Sequence, residues 1–212
     1  MTNRLKEIYS VIPECEVFAD IGCDHGLMTL SMLKGEKCKR AIISDVSKKC
    51  LEKAQTLLAE YIEKGIVNSA VSDGFDNLPE CDLALIAGMG GEEIISILKR
   101  ARNLPEKLVL QPMKNSQKVR QTVIGLGYKF IKDYVFFSGG IFYDLMVLVK
   151  GEENYSQEEI EFGRDNLKGN LAFKKMIQIK IEKIENYLGN SAVNEQTKRV
   201  MLAEIDRLNK YV

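Results

Sequence analysis

The strongest constraint on the fold is a rhythm in the first two thirds of the chain. Residues 17–21 (VFADI), 41–45 (AIISD), 68–74 (NSAVSDG), 81–91 (CDLALIAGMGG) and 108–112 (LVLQP) read as strands. Between them lie segments with apolar residues at helical spacing: 27–33, 46–64 (with Val46, Cys50, Ala54, Leu57, Leu58 and Ile62 on one face), 92–102 and 116–128. Strand alternating with helix in this way implies βαβ units and a mostly parallel sheet. The rhythm then breaks. In residues 129–151 (KFIKDYVFFSGGIFYDLMVLVKG) two strand-like runs flank Ser138, Gly139 and Gly140, a hairpin signal with no room for a crossover helix.

From about Glu152 the strand formers thin out and helices with charged faces take over. Phe173, Ile177, Ile181, Ile184 and Leu188 form a narrow apolar stripe, interrupted at Gly189, Asn190 and Ser191 and resumed by Met201, Ile205, Leu208 and Val212. This predicts a coiled-coil-like helical hairpin. A boundary near Lys150 divides the chain into residues 1–150 and 151–212. The start (MTNRLKEIYSVIPE) reads as a short amphipathic helix with Leu5, Ile8 and Tyr9 on one face and Thr2 or Asn3 as cap. It lacks the apolar core of a signal peptide, and no apolar run reaches membrane-spanning length, so a cytoplasmic, membrane-free protein is expected. Five scattered cysteines and a single histidine argue against a disulfide framework or a zinc site, and no metal is expected.

Three strands in succession end in an acid: Asp20, Asp45 and Asp73. The first leads into Gly22, Cys23, Asp24, His25 and Gly26. Such a turn lets a ligand approach the backbone at a helix start, but carboxylates there would repel a pyrophosphate. S-adenosylmethionine carries no phosphate; its sulfonium and α-ammonium suit acids set beside glycines. Asp20 and Asp24 are placed for the methionine end, Asp45 with Val46 for the ribose, and Asp73 with Gly74 for the adenine amino group. An Asp at a strand end is often only a helix cap, a reading less economical for all three together. His25 fits a polar packing residue as well as a ligand contact, and Cys23 reads as a space-filler, with nothing nearby to deprotonate it.

These features resemble one family, the bacterial tRNA (adenine(22)-N1)-methyltransferases. The resemblance rests on DIGCDHGLM (20–28), DGF (73–75), GMGG (88–91), LVLQP (108–112), GIFYDLMVLV (140–149) and the helical tail, and so spans essentially the whole chain. It implies an α/β fold: a Rossmann-like class I methyltransferase sheet ending in an antiparallel hairpin, then a C-terminal helical domain that helps hold tRNA. It also implies S-adenosylmethionine as methyl donor. Met113, Ile141 and Asp144 depart from the family pattern as we know it.

Adenine N1 has an in-plane lone pair, so its methylation needs alignment and tolerance of the charge formed on the base more than a strong general base. The expected catalytic rim is Asp24, Gly88, Met89, Gln111 and Pro112; Gly88 is also placed beside the cofactor. GMGG could instead be no more than a tight helix entry. N1 lies on the Watson–Crick edge, so the target base must be unpaired or flipped. Net charge is zero, and the tail is nearly balanced, so RNA contact must be local. Lys114, Lys118, Arg120, Lys174 and Lys175 are the expected RNA-binding residues. The apolar stripe can be satisfied within one chain, which suggests a monomer. A methyltransferase for a small molecule or protein, or a non-catalytic nucleotide- or RNA-binding module, are the alternatives.

Overall fold

The computed structural model describes residues 1–189 and 193–212. Seven strands form one sheet: β1 (Cys15–Ile21), β2 (Cys38–Asp45), β3 (Val67–Val71), β4 (Leu83–Met89), β5 (Lys107–Pro112), β6 (Tyr128–Ser138) and β7 (Ile141–Lys150). Their spatial order is β3-β2-β1-β4-β5-β7-β6. The first five pair in parallel, and β7 runs antiparallel to both β5 and β6. The hairpin turns at Gly139 (φ +57°) and Gly140 (φ +85°), two successive left-handed positions of the kind a two-residue hairpin needs.

Helices cover both faces. On one lie α1 (Asn3–Val11), α2 (Leu27–Lys34), α3 (Lys48–Leu57) and α4 (Ala59–Glu63); on the other lie α5 (Gly91–Arg100) and α6 (Ser116–Gly125). The period-two alternation of a strand sorts the core accordingly. In β4, Leu83 and Leu85 join the first face while Ala84 and Ile86 join the second; in β7, Leu145 and Val147 oppose Met146 and Leu148. Burial on both sides explains why these strands read as unbroken apolar runs.

Some boundaries shift. The third strand stops at Val71, two residues before Asp73. The single helix expected over 46–64 is two, with a break at Leu58 (ψ +13°). Val46 is not on a buried face but is 65 % exposed at the strand end, and Leu51 takes an inward position beside Ala54. Thr2 is the cap of α1, its side chain accepting from Leu5 N–H at 3.3 Å.

The tail consists of α7 (Gln157–Phe162), a 3-10 turn (Asn166–Lys168), α8 (Leu171–Leu188) and α9 (Glu195–Leu208). Ser156 and Glu159 form a capping box at α7. Phe162, Phe173, Ile177, Ile181, Ile205 and Leu208 make a separate core, as the stripe predicted, although Val212 lies outside it, 48 % exposed. Lys180 pairs with Glu204, and Phe173 meets Tyr211, so α8 and α9 are antiparallel. Of the expected interruption, Asn190 and Ser191 lie outside the described residues. β7 ends at the expected Lys150, but the chain then packs back onto the sheet.

That return covers the edge strand. Asp133 N–H donates to Asp165 Oδ2 (2.8 Å), Val135 N–H to Asn166 Oδ1 (2.8 Å), and Asn170 Nδ2 to the Val135 carbonyl (2.8 Å). Arg120 of α6 anchors the junction. Its Nε meets both Asp133 oxygens at 3.0 and 2.9 Å, Nη2 meets Asp144 at 2.6 Å, and Nη1 donates to the Glu161 carbonyl at 3.2 Å. Arg120 is 1 % exposed, which corrects its expected role: a guanidinium buried between Asp133 and Asp144 is out of reach of an RNA phosphate. Replacing Arg120 with Ala leaves Asp133 buried without its counter-charge and should destabilise the protein by about 3–5 kcal/mol, measured as unfolding free energy in urea.

Candidate active site

The carboxyl edge of the sheet gathers the acids and glycines. β1 ends at Ile21, and the turn folds against β2: Gly22 and Cys23 N–H both donate to the Ser44 carbonyl, at 2.8 and 3.0 Å. Gly22 has φ +72°, and a Cβ there would stand 2.0 Å from Met89 Cε. Asp24 (φ +46°) and Gly26 (φ +69°) complete the turn. A Cβ on Gly26 would press within 3.0 Å of Ala54, so its bareness lets the start of α2 rest on α3. No side chain caps α2.

Asp20 is buried and accepts from Thr29 Oγ1 at 2.8 Å. Burial pushes its carboxyl up to about 6, opposed by the Thr29 hydrogen bond. Asp45 accepts Ser47 N–H through Oδ1 (2.8 Å) and Asp24 N–H through Oδ2 (3.2 Å), which ties the second strand end to the glycine turn. Ser47, not Asp45, caps α3. Asp73 is exposed and bonded to Arg100 Nη1 at 2.7 Å, a contact that holds its carboxyl below the usual range. Neighbouring Gly74 (φ +76°) lies against α5, where a Cβ would meet Ile97 at 2.7 Å. None of the three strand-end acids serves as a helix cap, so capping does not account for their recurrence. His25 Nδ1 lies 2.7 Å from Asp24, with Lys53 3.4 Å from the other ring nitrogen; all three are on the surface. Burial pushes the Cys23 thiol well up, away from nucleophilic use.

Beyond the glycine turn, the strand ends of β4 and β5 form a rim. Gly88 has φ +81° and sits where the β4–β5 register shifts. Met113 N–H donates to the Met89 carbonyl (2.8 Å) and Gly91 N–H to the Lys114 carbonyl (3.1 Å). GMGG is therefore docked on the loop after Pro112, which is more than a helix entry requires. Gln111 is fully buried: its Nε2 donates to the Pro112 carbonyl at 3.0 Å, and its Oε1 accepts from Arg4 Nη1 at 3.1 Å. Arg4, on α1, also lies 3.2 Å from where a Gly88 Cβ would stand, and 5.8 Å from the Tyr143 ring centroid. Sequence reasoning missed it, because only the packing of α1 against Tyr134 and the strand ends carries it to the rim; Glu7 and Tyr134 bond there at 2.6 Å.

The expected residues thus divide. Asp20, Gly22, Asp24, His25, Gly26, Asp45, Val46, Gly88, Met89, Gln111 and Pro112 converge on one edge, with Asp73 and Gly74 just beyond. Lys114 approaches Gly90 within 3.5 Å of its would-be Cβ. Lys118 lies outward, paired with Glu92 at 2.6 Å. Lys174 and Lys175 are on α8. A cavity of about 920 Å³ opens at the opposite edge, between the 75–81 and 102–106 loops. It lacks the strand-end acids and glycine turns, and in open α/β sheets ligands sit outside the carboxyl ends of the strands.

A sheet of this order, with helices on both faces and acids at its first strand ends, is a Rossmann-like α/β fold, and a family described as "Methyltransferase domain" matches residues 1–146. The chain belongs to that family. It is 25 % identical to the tRNA (adenine(22)-N(1))-methyltransferase of Bacillus subtilis, over 98 % of this chain and 94 % of that protein. Among solved structures, M. capricolum TrmK in complex with S-adenosyl-homocysteine superposes with a TM-score of 0.87 at 20 % identity, covering 100 % of this chain and 97 % of that one. The B. subtilis m1A22 tRNA methyltransferase TrmK gives 0.80 at 23 % identity, covering 99 % and 96 %.

Because the Asp20 carboxyl is raised when folded, the native protein holds a proton that the unfolded chain has lost between about pH 4 and 6. Stability from this group is therefore lost as pH rises through that window. Relative to Asp20→Asn, the wild-type protein should lose about 2 kcal/mol between pH 4 and 7, read as the difference in urea unfolding free energies.

Proposed function

We propose that this protein transfers the methyl group of S-adenosylmethionine to N1 of an adenine in tRNA, at position 22. The observation that carries the proposal is the convergence of Asp20, Asp45 and the Gly88–Met89/Gln111–Pro112 rim on one sheet edge of a methyltransferase-family fold. Similarity to the B. subtilis enzyme over nearly the whole chain, tail included, supports the acceptor.

The residues suit this donor. Gly22 and Gly88 keep the turn and the rim in left-handed backbone that lets the chain pass close by, and the nearest carboxylates are negative where the donor is positive. Asp20 and Asp24 hold the methionine ammonium, directly or through water. Each Asp45 oxygen takes one backbone N–H and keeps a lone pair for a ribose hydroxyl. Exposed Val46 offers an apolar face beside it, and Asp73 accepts from the adenine amino group, its exposed pairing with Arg100 being weak enough to share. S-adenosylmethionine, when bound, supplies a methyl on cationic sulfur; the methyl leaves with no electrons and the N1 lone pair forms the new bond. Charge then moves from sulfur to the base. The Gly88, Met89, Gln111 and Pro112 rim orients the base edge, with Arg4 holding Gln111 in one amide orientation, and no strong general base is required. Residues 1–150 are the catalytic domain, and residues 151–212 the tRNA-holding element. Lys114, Lys118, Lys174 and Lys175 contact RNA. The protein acts as a monomer in the cytoplasm.

Two measurements test this. Purified protein with methyl-labelled S-adenosylmethionine and unmodified tRNA transcripts should yield N1-methyladenosine, mapped by reverse-transcription stops to one position near the D-arm. Label absent from RNA while the donor still binds would shift the acceptor to a small molecule or protein. Asp45→Ala should weaken donor binding by about 1–3 kcal/mol in calorimetry, the cost of leaving ligand hydroxyls unpaired; unchanged binding would remove Asp45 from the ribose site.

A further inference from the structure

The two cross-strand aromatic pairs near the hairpin tip behave oppositely. Phe136 and Tyr143 stack at 5.4 Å and turn into the core, leaving Phe136 8 % exposed. Phe137 and Phe142, one residue on, pack at 4.7 Å and 49° on the other face, where Phe137 stays 45 % exposed. Outward positions so close to a hairpin tip are ordinarily polar. The tail covers this ring only in part: Leu171 at the start of α8 is 81 % exposed, and from the next turn Lys175 places its ammonium over the ring, 4.8 Å from the Phe137 centroid. Lys180 of the same helix is paired with Glu204 at 2.8 Å, whereas exposed Lys175 is set over a ring.

The position is also telling. β6 runs parallel to β5, so its tip stands at the carboxyl edge that carries the acids and the rim. Asp144 bonds Ser116 at 2.6 Å, joining the hairpin to the start of α6 directly after the Met113–Lys114 loop that docks on GMGG. The hairpin whose tip carries Phe137 is therefore tied, through Asp144 and Ser116, to the helix that follows the loop docked on Gly88–Gly91.

We infer that Phe137, backed by Phe142 and flanked by Lys175, is a stacking platform for an unpaired RNA base neighbouring the target, with Lys175 taking the adjoining phosphate. A part-exposed aromatic ring beside a cation, at a hairpin tip on the carboxyl edge of the sheet, is the chemistry that binds splayed single-stranded nucleotides. The inference rests on the tRNA reading above and adds where the substrate is gripped.

The test compares Phe137→Leu, which keeps apolar bulk without a π-face, with Phe137→Tyr, which keeps the face. Stacking worth about 1–3 kcal/mol per base predicts roughly 5- to 150-fold weaker tRNA binding for F137L and near wild-type binding for F137Y. Donor affinity and melting temperature should be unchanged in both. Lys175→Gln should reduce the slope of log K against log salt by about 0.7–0.9. The platform is overturned if wild type methylates tRNA and F137L binds and methylates it equally well. It is overturned too if sedimentation shows a wild-type dimer that F137L dissociates, which would make this face a contact between copies. Wild-type protein that binds donor but neither binds nor methylates tRNA would instead defeat the tRNA reading itself.

Discussion

The buried guanidinium of Arg120 is the interaction on which the rest of the architecture turns. It joins α6, both strands of the terminal hairpin and the end of α7 through Asp133, Asp144 and the Glu161 carbonyl. Burying the ionised Arg120–Asp133 pair is expensive, and such a cluster is poor evidence of added stability. Its effect is selective. A guanidinium offers donors in a fixed fork, so the hairpin, helix and tail satisfy it only in one mutual arrangement. The same arrangement closes the β6 edge with Asp165, Asn166 and Asn170, which would otherwise present unpaired strand groups to solvent.

With that corner set, the sheet's opposite half is free to build the site from strand ends. Asp45 bridges its own turn and Asp24, so the first two strand ends are positioned relative to each other by hydrogen bonds to backbone, not by long side chains. Met89 fills the space above Gly22, coupling the glycine turn to the β4–β5 rim. Arg4 reaches the same rim from the start of the chain through Gln111. The α1 helix, which reads in the sequence as a short amphipathic helix, thus contributes directly to the edge where transfer is proposed.

Much of this was legible in the residues. Alternating strand and helix periods, the Ser138–Gly140 turn and the strand-end acids identify a parallel sheet with an antiparallel close, because each signal is local and repeats. The α8 stripe likewise marks its own core. Boundaries resting on a single apolar residue were less legible: Val46 and Leu57 follow helical spacing yet are exposed, since the chain bends at Leu58 and starts α3 only after Ser47.

Arg120 shows why charge in a sequence is a weak guide to partners. Beside Lys114 and Lys118 it belongs to a basic cluster, but its compensating acids lie 13 and 24 residues away on other strands. Arg4 and Gln111 are separated by 107 residues, and Lys175 finds Phe137 across the tail interface. Sequence by itself determined the period of each element, the turns that need glycine and the acids at the strand ends, because those are set by neighbours along the chain. Only the tertiary structure decided which charges are buried, which reach the carboxyl edge and which aromatic ring stays part-exposed, because desolvation and pairing depend on what long-range packing brings alongside.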